Sequence, residues 1–461
     1  MLEVLTAYDE KLITELQYMS PRKIENTLTV ARKLADSPSV RIPAPERIQI
    51  LERTMKYVER NYEKIVKDAA MEGGKPLIDT RAEITRAING IKVAIEELGN
   101  MRGSEIPMGL NAASLNRMAF TFKEPIGVVV AICAFNHPFN LAVHQVIPAV
   151  AVGCPVIIKP ATTTPLSTIN LLNALYESGL PEEWAQLALT DNKLAEKLAT
   201  DPRVDYLTFI GSGKVGWYLR SKLSPGTRCA LEHGGSAPVI VEPDADLNDM
   251  LPLLAKGGFY HAGQVCVSVQ RVFAHSSVSK KVVNGLKKLA LKMKVGDPME
   301  ENTEIGPLIL PRENNRVHSW VKEAVRKGGK LICGGKKINR TCYEPTIILN
   351  PPQNTKLSKA EIFGPVIAVY TYNKREEAIS KANSLPLSFQ ASIFTKNIDT
   401  VLDTVKNINA ASVIINDHTA FRVDWMPFRG AKESGIGIGG IPYTMHEMTQ
   451  DKLMVIRSSE I

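Results

Sequence analysis

The spacing of apolar and polar positions changes along this chain, and each change predicts a different element. From Ser20 the pattern is helical: Ser20 can cap, Pro21 suits a first turn, and Ile24, Leu28, Ala31 and Ala35 fall on one face. A longer helical stretch runs from about Glu46 to Met71 and stops at Gly73 and Gly74, with Pro76 beyond. The chain up to about residue 100 is thus expected to be mostly helix. Around Arg117 the period falls to two. Arg117 to Lys123 alternates as a half-exposed strand would, and Gly127 to Cys133 is continuously apolar, as a strand covered on both faces would be.

Similar short apolar runs recur at Pro155 to Ile158, Tyr206 to Ile210, Arg228 to Leu231 and Pro238 to Val241. Between the first two lies a helix with Thr164 as its cap, Pro165 at its first position and Gly179 at its end. Strand, helix, strand in this rhythm predicts a parallel sheet wound with helices, which binds ligands at its strand carboxyl ends. The alternation resumes from about Asp246 to Ile415, so a second α/β unit is expected, and Lys452 to Arg457 reads as a last strand.

Composition narrows the class. The chain has 461 residues, 44% hydrophobic and 23% charged, enough for two or three packed domains. Its net charge of +8 is spread along the whole length, so a solvated surface is expected and no nucleic-acid partner. Six cysteines stand without C-x-x-C pairs, which points to a reducing compartment; with no signal-like start and no long apolar run, a cytoplasmic protein with no membrane partner is expected. No metal site is expected.

Four places carry candidate chemistry. Gly211 to Gly216 spells G-x-G-x-x-G between a strand and a helix, which is either a phosphate-approaching turn or only a turn. Cys266 is flanked by valines, as a small buried hydrophobe would be, yet Gly263 and Gln264 beside it would suit an accessible nucleophile. Glu232 ends an apolar strand ahead of Gly234 and Gly235; it is either a solvated carboxylate or a desolvated general base. Asn136 follows another strand, as turn punctuation or as a donor to an oxyanion.

Taken in order, Phe135-Asn-His-Pro138, Val156-Ile-Ile-Lys-Pro-Ala161, Phe209-Ile-Gly-Ser-Gly213 with Gly216, Leu231-Glu-His-Gly-Gly235, Gly263-Gln-Val-Cys266, Glu361-Ile-Phe-Gly-Pro-Val366 and Pro427 to Gly435 resemble the aldehyde dehydrogenase superfamily along nearly the whole chain. The resemblance implies an NAD(P)-dependent oxidoreductase that oxidises an aldehyde to a carboxylate through a thiohemiacetal and a thioester. The implied fold is α/β, with a Rossmann-like cofactor domain (1–106 and 126–234), a second α/β catalytic domain (235–443) and a small β oligomerisation element (107–125 and 444–461). It makes Cys266 the nucleophile, Glu232 the base for the hydrolytic water and Asn136 an oxyanion donor. Lys159, Thr162, Gly211, Ser212, Gly216, Glu361 and Phe363 are the implied cofactor residues.

By the same resemblance Asn140, Leu141 and His144 should line the aldehyde tunnel, and their polarity favours a small polar or hydroxylated aldehyde. Arg422 would either hold an anionic tail of the substrate or pair with Asp424 or a neighbouring subunit. Thr162 stands where a glutamate would repel the extra phosphate of NADP, so NADP is expected to be tolerated and weakly preferred. A homodimer or homotetramer is expected, joined through Arg117 to Lys123 and the last strand. Four departures from the family stand out: an opening hairpin is read as lacking, His233 stands where a leucine is common, Arg429 where a glycine is common, and Gly439 where a glutamate is common. The alternatives are a CoA-acylating relative and a catalytically silent version of the fold.

Overall fold

The computed structural model describes residues 1–461. Two wound sheets dominate it. The first has six strands in the order Gly435–Ile436, Arg228–Glu232, Tyr206–Ile210, Val129–Ile132, Val156–Lys159, Ala185–Leu187, all parallel except the first. Its buried strands obey period two: Val129 and Ala131 point into one core, Val130 and Ile132 into another on the opposite face. The continuous apolar runs follow from this double burial.

The second sheet has seven strands, in the order Lys330–Cys333, Thr346–Leu349, Val366–Tyr372, Arg271–His275, Pro238–Val241, Gln390–Phe394, Ser412–Ile415. All are parallel except the edge strand Lys330–Cys333. The chain then returns to the first unit: Gly435–Ile436 joins its sheet, and Ile441, Met445 and Met448 enter its core. A third, three-stranded sheet holds Thr449–Arg457, Arg117–Pro125 and Glu105–Ile106.

Several expectations are corrected. The chain opens on a hairpin, Leu2–Leu5 against Leu12–Leu16, closed by a turn in which Glu10 takes a left-handed φ of 58°. The long helix from Glu46 is two, Ala44–Arg60 and Tyr62–Gly73, broken at Asn61, whose side chain donates to the Tyr57 carbonyl. Thr164 holds the cap position of Pro165–Glu177 but makes no cap bond; the buried Glu72 carboxylate instead accepts from Leu166 N and Ser167 N at 2.8 Å. The fourth correction concerns the edges. Arg117–Pro125 pairs with Thr449–Arg457 on one side and Glu105–Ile106 on the other, so it is an interior strand and only Thr449–Arg457 keeps a long free edge. No helix is long and apolar enough to cross a membrane.

Candidate active site

A cavity of about 610 Å³ runs along the carboxyl ends of the first sheet and is closed by loops of the second unit. That is the usual size and place for a small-molecule site in a wound sheet. Cys266, Glu232 and Asn136 all line it.

Cys266 lies on the loop between helix Leu247–Phe259 and strand Arg271–His275. The loop begins with three left-handed residues, His261 (φ 49°), Ala262 (53°) and Gly263 (67°). At Gly263 a Cβ would stand 2.2 Å from the Gly364 carbonyl oxygen, so only glycine lets the two backbones meet. Gln264 braces the turn: its Nε2 donates to the His261 and Pro307 carbonyls, and its Oε1 accepts from Ile309 N. The thiol packs with Val265, Val267, Phe389 and Phe428. Burial first, then the nearby Glu232 carboxylate, push it well above the usual thiol range, while Arg422 pulls the other way.

Asn136 reaches the same loop, its Nδ2 donating to the Gln264 carbonyl at 2.9 Å. A side-chain amide carries two N–H bonds, so this anchor leaves one to donate beside Cys266. Glu232 ends its strand opposite Gly435, and burial raises its carboxyl above the ordinary range with Arg422 opposing. Arg422 Nη1 stands 3.9 Å from Glu232 Oε1, and the guanidinium lies over the Phe428 ring at 3.6 Å from its centre.

The expected partner of Arg422 is engaged elsewhere. Asp424 accepts from Arg86 at 2.7 and 3.1 Å and from His144 Nε2 at 2.7 Å, with Asn140 Nδ2 at 3.4 Å. Arg422 keeps a 3.4 Å contact from Nη2 to His144 Nδ1, and its Nε has no partner. It is therefore a buried cation facing the cavity without a tight counter-ion. His144 does not line that cavity; it stands between Arg422 and Asp424, and burial next to Arg422 lowers its pKa to about 4 despite the Asp424 bond. Asn140 and Leu141 do line it.

Lys159, Thr162, Gly211, Ser212, Glu361 and Phe363 form the other arm of the cavity. Their state fits a dinucleotide. Glu361 Oε1 is buried without a partner, and burial pushes the carboxyl up to about 8, with Arg316 opposing. At Gly234 a Cβ would fall 1.9 Å from that oxygen, so the backbone there is bare where the carboxylate reaches in. Lys159 is buried with no carboxylate paired to it, and Ser212 heads helix Gly213–Arg220 with its hydroxyl uncommitted to the cap. Gly216 is the exception: it lies outside the lining, and a Cβ there would stand 2.0 Å from His233 Cε1. It is glycine for packing, so of the three glycines in the G-x-G-x-x-G spelling only Gly211 reaches the cavity. His233 itself donates from Nδ1 to the Gly211 carbonyl and packs edge-on to Phe209 and Trp217.

Sequence reasoning missed Arg86, Arg316 and Trp320, which also line the cavity. Arg316 and Trp320 stack on each other along helix Pro311–Arg326, and that i, i+4 spacing of a cation and an aromatic was the one readable signal.

The chain matches the aldehyde dehydrogenase family over residues 1–454, and it belongs to that family. It is an NAD(P)-dependent oxidoreductase of the aldehyde-oxidising type that forms its intermediates on a cysteine. It is 36% identical over 456 residues to a 3-sulfolactaldehyde dehydrogenase of Priestia aryabhattai, covering 99% of this chain and 94% of that protein. It is 34% identical over 460 residues to a lactaldehyde dehydrogenase of Methanocaldococcus jannaschii, covering 99% and 97%. Among solved structures, aldehyde dehydrogenase 21 of Physcomitrella patens with its product succinate superposes with a TM-score of 0.96 at 35% identity, covering 99% and 95%. A glyceraldehyde-3-phosphate dehydrogenase of Methanocaldococcus jannaschii complexed with NADP gives 0.94 at 33%, covering 99% of both chains.

Proposed function

We propose that this enzyme oxidises a small, polar or hydroxylated aldehyde whose tail ends in an acidic group, and that it accepts NADP at least as well as NAD. The observation that carries the substrate class is Arg422, a buried guanidinium facing the cavity with its Nε unpartnered. An unmatched cation in a closed site costs stability unless a ligand anion completes it. Relatives named for sulfolactaldehyde and glyceraldehyde 3-phosphate, and one holding succinate, all bear on acids of this size.

Cys266 is the nucleophile. Its sulfur attacks the aldehyde carbon to give a thiohemiacetal, whose oxyanion takes a hydrogen bond from the free Asn136 N–H and from a backbone N–H, bonds that strengthen as charge develops. Lys159, Thr162, Ser212 and Glu361 hold the nicotinamide dinucleotide, which when bound accepts the hydride of the oxidation. Glu232 deprotonates the water that cleaves the resulting thioester, and its raised pKa keeps it a competent base. Thr162 offers a hydroxyl and no charge to the adenosine ribose, so it does not repel a phosphate there.

The enzyme assembles as a homodimer or homotetramer of the domains outlined from the sequence. Leu453, Met454, Val455 and Ile456 are all exposed on a strand with a free edge, which second copies would cover. A panel of lactaldehyde, succinate semialdehyde, sulfolactaldehyde and glyceraldehyde 3-phosphate, each assayed with NAD and NADP, tests the reading. The acid-bearing aldehydes should have the higher kcat/KM. Faster turnover of neutral aldehydes of the same length overturns the anionic assignment.

A further inference from the structure

The two sides of the oxyanion pocket come from different units. Asn136 follows strand Val129–Ile132 of the first, whereas the Cys266 loop belongs to the second. Asn136 also stands two residues ahead of helix Pro138–Val152, so the place of that helix end decides where its amide points. The end has no local cap: His137 makes no side-chain cap bond, and Pro138 has no N–H to offer. Its first two donors, Phe139 N and Asn140 N, instead give to one oxygen of Glu83, Oε1, at 3.0 Å each. The other oxygen, Oε2, accepts from Lys75 Nζ, and both side chains are buried.

The stretch that carries this pair is fastened to the second unit. A Cβ at Gly306 would stand 2.0 Å from the Gly74 carbonyl oxygen, so the two backbones touch just ahead of Lys75. Leu77 N donates to the Pro298 carbonyl at 3.1 Å, Asp79 pairs with Lys256, and Arg81 holds Glu301 through two bonds of 2.7 and 2.8 Å. Next to Gly306, the Pro307 carbonyl accepts from Gln264 Nε2, and the Gln264 carbonyl accepts from Asn136 Nδ2. These contacts close a ring. It runs from Asn136 through Gln264 and Pro307 to the Gly74 turn, then through Lys75 and Glu83 back to the helix end beside Asn136.

We propose that Glu83, held by Lys75, is a positioning residue for the oxyanion pocket: it fixes the end of helix Pro138–Val152 so that the free N–H of Asn136 and a backbone N–H of the Cys266 loop converge on one oxygen. The proposal rests on Asn136 being an oxyanion donor. Neither Glu83 nor Lys75 lines the cavity, so both act only through the helix end. Aldehyde addition and thioester hydrolysis each pass through an oxyanion, and a displaced amide slows both. Binding of aldehyde and cofactor, made by other residues, is left as it was.

Three variants test this. Lys75→Met with Glu83→Ala removes the cap without leaving a buried charge unpaired. Lys75→Met with Glu83→Gln keeps an oxygen for the two N–H groups. Glu83→Asp keeps the ion pair but draws the carboxylate back by a methylene, and it carries the test if thermal unfolding shows that the alanine pair does not fold. With enzyme in excess over aldehyde, the rate of cofactor reduction should fall about tenfold in the alanine pair and in Glu83→Asp, a part of the roughly hundred- to thousandfold cost of losing an oxyanion donor outright. The glutamine pair should recover most of that rate, and KM for the aldehyde and Kd for the cofactor should stay within about twofold in all three.

Asn136→Ala supplies the background that a merely structural role would fail. With the amide gone there is nothing left to place, so adding the alanine pair or Glu83→Asp should slow cofactor reduction no further. A wild-type rate in the folded Glu83 variants, a glutamine pair as slow as the alanine pair, or the same fall with and without Asn136 overturns the assignment of Glu83. If Asn136→Ala itself keeps the wild-type rate, the reading of Asn136 as an oxyanion donor fails and the role of Glu83 with it.

Discussion

Arg422 Nη1 lies 3.9 Å from Glu232 Oε1, too far for a hydrogen bond and near enough for each charge to set the ionisation of the other. Burial raises the Glu232 carboxyl, and Arg422 is the one group that pulls it back. An acidic substrate tail on Arg422 would cancel that pull and leave Glu232 the stronger base for the hydrolysis that follows.

Arg422→Gln should therefore have two signatures. Losing a charge-assisted contact of about 1.5–3 kcal/mol raises KM for an acid-bearing aldehyde about ten- to a hundredfold, and leaves a neutral aldehyde of equal length little changed. Removing the positive charge also raises the Glu232 pKa, so the acidic limb of the turnover profile moves to higher pH. Equal loss for charged and neutral aldehydes would mean that Arg422 only holds the fold.

Cys266→Ala should abolish dehydrogenase turnover and stoichiometric labelling by iodoacetamide while the protein still folds and binds cofactor, because the thiol makes no hydrogen bond that shapes the loop. Gln264 and Asn136 do that work. In the wild type, burial beside Glu232 holds the thiol in its protonated form, so alkylation should quicken steadily as pH rises above neutral. Substantial turnover by the alanine variant excludes the covalent route.

His144 ties the site to stability. Its pKa in the folded protein is about 4, against an ordinary value of 6.5, and that of Asp424 is also lowered. Between these two His144 values the unfolded chain binds the extra proton, so its neutral burial adds stability that is lost as pH falls through that window. Asp424 works in the same direction at lower pH, its contribution vanishing as the carboxylate is protonated. In His144→Gln the first of these losses is absent. The gap in unfolding midpoint between wild type and variant should thus be largest at about pH 7 and narrow by about pH 5; a gap independent of pH would show that His144 does not titrate with folding.

What the sequence made legible follows from range. Tyr206–Ile210 and Pro238–Val241 match the apolar runs residue for residue, because strands buried on both faces admit little else. Ser20 caps its helix by accepting from Lys23 N, a local bond with a local signal. The catalytic candidates sit at strand ends and in the Cys266 loop, where short motifs mark them. The Arg86–Asp424 pair spans 338 residues, and nothing near either residue announces the other. The same holds for Glu72, which caps a helix 94 residues on and displaces the nearby Thr164 from that role. The break at Asn61 escaped notice because the apolar spacing continues across it.

Freed of cap duty, the threonines before Pro165 bear on the cofactor. Had Thr162, Thr163 and Thr164 served only to start the helix, their identity would say nothing of the ribose, but Glu72 holds that helix end. Thr162 and Thr163 line the cavity together with Lys159. Burial lowers the Lys159 pKa without an ion-pair partner, so a ligand phosphate is the nearest counter-charge it can acquire. In Thr162→Glu the new carboxylate would accept hydrogen bonds from the ribose hydroxyls of NAD and repel the 2′-phosphate of NADP. The substitution should depress kcat/KM with NADP by about ten- to a hundredfold, roughly 1.4–2.7 kcal/mol, and change that with NAD little or raise it. Glu72→Gln is the control: it disturbs the helix end alone and should lower stability without altering the ratio of the two cofactors. A wild-type enzyme that already favours NAD by about a hundredfold, or a Thr162→Glu variant that loses both cofactors equally, would show that Thr162 does not read the ribose.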